Sequence, residues 1–246
     1  MKIFLSALEA SPEFEHIDTK IDGYMYNLMS YFYIKGKEYY KPIIRKSKEI
    51  LIDSGAHSFQ SGKRVDWEEY TKEYANWIYR VDEDKILGYF EMDIDPAGYP
   101  LVYVERLRKI LNRQSNKIIP VWHKNRGIEE FKRMCKNPNN INNIVAITGF
   151  KNEDIRDHQY IYFYNYAKAC GVDIHCLGMT RRGILDKVPF DYVDSSSWKQ
   201  DVLFGSVGDI KLGKEYTRAN RAEALYYSYL KGMKMQKEYY YKYRKK

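Results

Sequence analysis

The stretch Phe190-Asp191-Tyr192-Val193-Asp194-Ser195-Ser196-Ser197-Trp198 sets the reading of the whole chain. A short apolar pair, Tyr192-Val193, runs straight into a carboxylate and then into three hydroxyl residues. A strand that ends this way holds Asp194 in a polar setting, where a carboxylate can serve as nucleophile or base. The same pattern also suits an Asp whose side chain closes the following turn. The rest of the chain weighs against that second reading, because polar residues recur at one strand end after another.

Working outward, Met1 to Ser6 reads as a first buried strand, and Gly23 to Ile34, with apolar and aromatic residues at helical spacing, as a helix. Ile50-Leu51-Ile52 is a strand stopping at Asp53-Ser54-Gly55-Ala56. Asp66 then caps a helix through Tyr70, Tyr74, Trp77 and Ile78, with Glu69 completing a capping-box pattern. Ile86 to Phe90 is a strand ending at Glu91-Met92-Asp93, followed by a helix from Tyr99 to Asn112. Lys117 to Val121 ends at Trp122-His123 and leads into a short helix from Gly127 to Cys135. Asn143 to Ile147 ends at Thr148-Gly149, before a helix from Asp154 to Ala169. Asp173 to Leu177 ends at Gly178-Met179-Thr180, with a helical turn over Arg181 to Lys187. Val202-Leu203-Phe204 offers a last strand, and Tyr216 to Tyr243 a long final helix.

Strand followed by helix, repeated about eight times, calls for a parallel sheet with helical crossovers. At 246 residues the leading fold is a single (β/α)₈ barrel, with a doubly wound open sheet as runner-up. No Pro/Gly-rich linker divides the chain, so one domain over residues 1–246 is expected, with 215–246 as a basic C-terminal helix.

Hydrophobic residues at 44% and charged residues at 30% fit a globular protein, and a net charge of +8 argues for an anionic partner. From Lys211 onward eleven Lys and Arg stand against three Glu, interleaved with Tyr, a composition that suits a phosphate backbone or a solvated basic helix. Cys135, Cys170 and Cys176 are scattered without a C-x-x-C pair, so no disulfide framework or zinc site is expected. Met1 to Ser6 is too short for a signal sequence and no apolar run approaches a membrane span, so a soluble cytoplasmic protein is the expectation.

In a barrel, the C-terminal ends of the strands converge on one face. Here those ends carry Asp53, Glu91 with Asp93, Trp122-His123, Thr148-Gly149, Gly178 and Asp194. Two separated carboxylates such as Asp53 and Asp194 are what substitution at a sugar carbon needs, one attacking the oxocarbenium-like centre while the other moves protons. Each has a plainer alternative. Asp53 can close a turn, Trp122 can be packing, His123 can be a satisfied loop histidine, and Gly149 and Gly178 can serve unusual backbone angles alone. Glu91 and Asp93 share one face by the period of two, and Asp93 lies more clearly at the strand end.

Taken in order, Asp53-Ser54-Gly55-Ala56, Phe90 to Asp93, Ile147-Thr148-Gly149-Phe150, Leu177-Gly178-Met179 and Asp191-Tyr192-Val193-Asp194 resemble the tRNA-guanine transglycosylase family. The set is most similar to the compact phage-type members that insert 7-deazaguanines into DNA, and it covers about residues 50 to 200. The resemblance implies a (β/α)₈ barrel in which Asp194 attacks C1′ of a guanosine and forms a covalent glycosyl intermediate. It implies that Asp53, in the motif with Ser54 and Gly55, is the acid/base, and that Asp93, or else Glu91, hydrogen-bonds the base. Trp122 or His123 sits where the family carries a base-reading glutamine. Thr148-Gly149 falls on its Gly-Gly segment, and Gly178-Met179 on the segment packing under the base. Arg181, Arg182, Ser195, Trp198 and Lys199 flank these ends as candidates for contacting nucleic acid. The chain departs from the family at Ala56 and His57, at Ser195-Ser196-Ser197-Trp198, and in having no cysteine after Cys176. The family's structural zinc cluster is therefore not expected, and no cofactor is.

The expected function is replacement of guanine by a free 7-deazaguanine, in DNA rather than tRNA because the chain is compact and lacks the zinc-bearing part. The alternatives are a tRNA-guanine transglycosylase, an N-glycoside hydrolase, and a non-catalytic nucleic-acid-binding barrel. The partners expected are the nucleic acid and the free base, without a membrane, in the host cytoplasm for a phage-encoded chain; a homodimer is compatible with this reading.

Overall fold

A parallel strand covered by helices is buried on both faces, so its apolar residues need not alternate. Tyr24-Met25-Tyr26-Asn27-Leu28-Met29-Ser30 is such a segment, with six of seven residues buried. Sequence spacing predicts a helix over Gly23–Ile34; the structure corrects this to a strand, Tyr24–Ser30, followed by one helical turn, Tyr31–Ile34. A continuous apolar run satisfies helical and strand periods alike, which is why the pattern misleads here.

The computed structural model describes residues 1–59, 65–148, 155–203, 206–207, 210–211 and 218–244. The strands of its main sheet are β1 (Lys2–Ser6), β2 (Tyr24–Ser30), β3 (Ser47–Asp53), β4 (Ile86–Phe90), β5 (Ile118–Ile119), β6 (Val121–Trp122), β7 (Ile144–Thr148), β8 (Asp173–Leu177) and β9 (Tyr192–Ser195), and a separate antiparallel pair is formed by β10 (Ser206–Val207) and β11 (Ile210–Lys211). The nine strands of the main sheet pair in parallel in the order β5-β4-β3-β2-β1-β9-β8-β7-β6. The two ends of that order, β5 and β6, are consecutive pieces of chain separated by Pro120 alone. Proline has no N–H to give to a ladder, but its carbonyl accepts from Ala146 N at 2.9 Å, while Ile119 O accepts from Glu91 N at 3.1 Å. β5 thus pairs with β4 and β6 with β7, and the nine segments make an eight-stranded closed barrel.

The helices are α1 (Phe14–Lys20), α2 (Tyr31–Ile34), α3 (Lys41–Lys46), α4 (Trp67–Val81), α5 (Leu101–Leu111), α6 (Gly127–Lys136), α7 (Tyr160–Ala169), α8 (Arg182–Leu185), α9 (Gln200–Leu203) and α10 (Arg218–Arg244). α4 starts as expected, with Asp66 accepting from the amides of Glu68 and Glu69 at 3.1 and 3.0 Å. Tyr70, Tyr74, Trp77 and Ile78 fall on one helical face and are buried against the sheet. α7 begins later than the expected Asp154, after a 3₁₀ turn at Asp157–Gln159, and Asp154 itself lies outside the described residues. The strand expected over Val202–Phe204 is also corrected: Gln200–Leu203 is helical, and Phe204 lies outside the described residues. β9 already pairs with β1, so the ring leaves no edge for a further strand.

Phe4, Leu28, Leu51, Phe90, Val121, Ala146 and Tyr192 pack together inside the barrel, while two larger clusters fill the space between barrel and helices. Side chains alternate along a strand, so the next inward position toward each C-terminus belongs to Ser6, Ser30, Asp53, His123, Thr148 and Asp194. A polar ring therefore sits on an apolar plug.

β1 and β2 pair only at Leu5–Asn27 and Ser6–Leu28. α10 closes the gap below, where Gln236 Nε2 donates to Ile3 O at 2.8 Å and to Tyr26 O at 2.6 Å. The helix begins beside the strand C-termini, with Ser228 donating to Trp198 O, and ends at the opposite mouth, where Tyr240 packs on Tyr26 and Lys48 stands over its ring. The basic end of α10 thus lies away from the polar ring. Among the described residues, no helix is long and apolar enough to cross a membrane.

Candidate active site

Asp194 is 7% exposed and is surrounded by donors. Its Oδ2 accepts from Ser6 Oγ on β1 at 2.8 Å. Its Oδ1 lies 2.8 Å from Nε2 of His175 on β8 and accepts from the Gly178 amide at 3.2 Å. Gly178 has φ of +67°, a conformation that glycine adopts at little cost, and this turn brings its N–H to the carboxylate. Three donors from two neighbouring strands, β1 and β8 with its following turn, therefore fix one side chain.

Asp53 is built in the same way on the facing side. Its Oδ2 accepts from the Gly55 amide at 2.9 Å and from Ser30 Oγ at 3.3 Å. Gly55 has φ of +79°, and a Cβ there would come within 2.4 Å of Phe32 Cβ. The Asp-Ser-Gly sequence is thus a turn and a site at once. Burial and the nearby charge of Asp93, less strongly that of Asp194, push the Asp53 carboxyl up to about 7, against the opposing hydrogen bonds from Gly55 and Ser30. Such a group is protonated over much of the neutral range and can donate a proton.

Asp93 follows β4 and meets His123, with Oδ2 3.2 Å from Nε2. Alternation along the strand separates Trp122 from His123, and a buried charge cluster separates Glu91 from Asp93. His123 faces the mouth, whereas Trp122 turns outward, donates from Nε1 to Gly127 O at 2.8 Å and packs on Phe131 and Phe163. Asp93 stays at the mouth. Glu91 is 0% exposed, bound by Arg108, by Arg126 Nη1 at 2.8 Å and by Val121 N at 2.8 Å. That buried cluster leaves Glu91 no face for a base, so it supports the wall instead.

Other expected contacts are redirected by packing. Ser54 is fully buried, accepting from Ala56 N at 3.3 Å while its carbonyl takes the Tyr70 hydroxyl. Met179 is buried in the outer core with Ile184 and Phe190. Trp198 donates from Nε1 to Ser6 O at 2.9 Å, which pins β1 rather than leaving an open ring. Lys199 Nζ donates to Ala7 O at 3.1 Å, and Ser195 Oγ accepts from Ser197 N. Arg181 pairs with Asp157 at 2.7 Å and Arg182 with Glu238 at 2.7 Å, both exposed. Thr148 stands at the mouth, and Gly149 lies outside the described residues.

Ser6, Ser30 and His175 belong to the site but escape the sequence reading. Ser30 is hidden by the misread strand, and Ser6 by its place at the end of the first one. His175 carried a usable signal, being a lone polar ring inside the apolar run Ile174 to Leu177. Among the described residues no cluster of three or more His, Cys, Asp or Glu has the arrangement to hold a metal ion. The chain matches no family model and no curated protein sequence.

Proposed function

We propose that this chain is a pentosyltransferase that exchanges guanine in a nucleic acid, DNA in preference to tRNA, for a free 7-deazaguanine. The observation that carries the reading is the contrast between two aspartates at one barrel mouth. Asp194 is offered three hydrogen-bond donors, the setting of a carboxylate kept as a nucleophile. Asp53, raised to about 7, is suited to hold the proton that a leaving base needs. Asp194 attacks C1′ as Asp53 protonates the departing guanine, and the incoming base then displaces Asp194 while Asp53 takes its proton. Asp93 and His123 stand together at the rim to read the base edge. A C1′ inside a duplex is out of reach, so the target nucleoside is flipped out or already single-stranded.

The test incubates the protein with guanine-containing DNA, and in parallel with tRNA, plus labelled guanine or a 7-deazaguanine. Incorporation that disappears in Asp194→Ala while nucleic-acid binding persists supports the reading. Release of free base with abasic sites would replace it by a hydrolase, and undiminished exchange in Asp194→Ala would overturn the assigned nucleophile.

A further inference from the structure

His175 is 0% exposed and lies inside the barrel one layer beneath Asp194, with ring centroids 5.1 Å from Phe90, 6.3 Å from Phe4 and 6.4 Å from Tyr192. Its Nε2 faces Asp194 Oδ1, and its Nδ1 has no hydrogen-bond partner among the described residues. A carboxylate only accepts, so the proton of this imidazole belongs on Nε2. The other tautomer would aim a lone pair at the carboxylate and bury an unpaired N–H among aromatic rings, leaving that donor desolvated with nothing to compensate it. The two oxygens of Asp194 are then unlike. Among the described residues, Oδ1 carries two donors fixed by the fold, His175 and the Gly178 amide, whereas Oδ2 carries the Ser6 hydroxyl alone, which can rotate away.

We propose that His175 is a positioning residue that, with the Gly178 amide, holds Oδ1 so that Oδ2 is the attacking oxygen. This rests on the base-exchange reading above. In the first step the Oδ2–C1′ bond forms as the C1′–N bond breaks, and its electron pair leaves with the base, which takes the Asp53 proton. Oδ1 becomes the carbonyl oxygen of the glycosyl ester and keeps both donors. In the second step the incoming base nitrogen bonds to C1′, its proton passes to Asp53, and the Oδ2–C1′ pair returns to the carboxylate. The charge that reappears spreads onto Oδ1, where His175 and Gly178 receive it. His175 thus aids departure of the enzyme carboxylate, a role equivalent to one donor of an oxyanion hole.

The test measures single-turnover exchange, separating formation of the covalent intermediate from its displacement, in wild type, His175→Phe and His175→Gln. His175→Phe is expected to slow displacement by about 10²-fold, the usual effect of removing one such donor. The intermediate should accumulate, KM for the nucleic acid should fall with it, and Kd for the nucleic acid should stay unchanged. His175→Gln, which can still offer an N–H to Oδ1, is expected to recover most of the rate. Unchanged displacement in folded His175→Phe overturns the proposal while leaving the exchange reading intact; no exchange in wild type removes both. Nitrogen NMR of the wild-type imidazole gives a check that needs no variant: an Nε2–H pattern supports the assignment and an Nδ1–H pattern overturns it.

Discussion

Arg126 donates from Nη1 to Glu91 Oε1 at 2.8 Å, with 1% and 0% of the two side chains exposed. Arg126 also grips Asp95, through Nε at 3.0 Å and through Nη2, and Glu91 takes Arg108 from α5. The cluster ties the end of β4 to the turn after β6, directly behind Asp93 and His123. Burial alone would raise the Glu91 carboxyl, but Arg108 and Arg126 hold it below its ordinary value. The contribution of Glu91 is therefore full at neutral pH and is lost as pH falls through that lowered value.

Replacing Arg126 by Met takes away the buried partner of Asp95 and leaves Glu91 with Arg108 as its one remaining arginine. Breaking a buried pair on one side costs about 3–5 kcal/mol, so Arg126→Met should lose that much in urea unfolding at pH 7. Adding Asp95→Asn removes the orphaned charge and should return part of it. Stability equal to wild type in Arg126→Met would contradict the assignment of this cluster as the wall's brace.

Asp53 binds its proton more tightly folded than unfolded. Stability therefore declines as pH rises from about 4 toward 7 and levels off above that. Asp53→Asn keeps an acceptor oxygen for the Gly55 amide and removes the buried charge. It should be more stable than wild type at pH 8 by about 4 kcal/mol, with the two converging near pH 4. Thermal melts across that range read the difference directly. The same substitution should abolish exchange, and the wild-type rate of base departure should fall as pH rises past about 7.

The barrel was legible because its cause is repetitive: short apolar runs ending in polar residues, joined by amphipathic helices such as Trp67–Val81. β2 was not, since burial on both faces erases alternation and Tyr24–Ser30 fits either period. Asp53, Asp93, His123 and Asp194 were legible because each ends a strand. Ser6 and Ser30 were not, because a hydroxyl at a strand end is too common to single out until the sheet order places it against a carboxylate. The role of Glu91 depended on Arg108 and Arg126, which sit 17 and 35 residues away in sequence.

Gly55 couples fold to chemistry in one residue. At φ of +79°, with a Cβ 2.4 Å from Phe32 Cβ and 2.9 Å from Ser30 Oγ, alanine is both strained and overpacked. Gly55→Ala should cost about 2–4 kcal/mol and move the amide away from Asp53, depressing exchange beyond the loss of folded protein. Gly36 also has positive φ, at +70°, yet nothing lies within 4 Å of its Cβ position. Gly36→Ala should therefore cost about 1 kcal/mol and leave exchange unchanged per folded molecule. Equal effects at the two glycines, by calorimetry and activity, would show that crowding at Gly55 has no consequence.

Charge placement makes a last, separable prediction for nucleic-acid binding. Lys124 follows His123 at the mouth, and Arg181 follows the Gly178 turn, both exposed. Lys234 and Lys237 are also exposed but flank Gln236, on the part of α10 that runs down toward Tyr240 and the opposite mouth. A strand delivering its nucleoside to Asp194 passes the first pair and not the second. Each lost phosphate contact lowers the slope of log affinity against log salt by roughly 0.7–0.9. Lys124→Glu and Arg181→Glu should each weaken binding of a guanine-containing oligonucleotide and reduce that slope by about one. Lys234→Glu and Lys237→Glu should leave the slope as it is, although they change net charge by the same amount. Fluorescence titrations between low and moderate salt would read all four variants, and a slope change confined to the α10 pair would place the nucleic acid on the wrong face for Asp194.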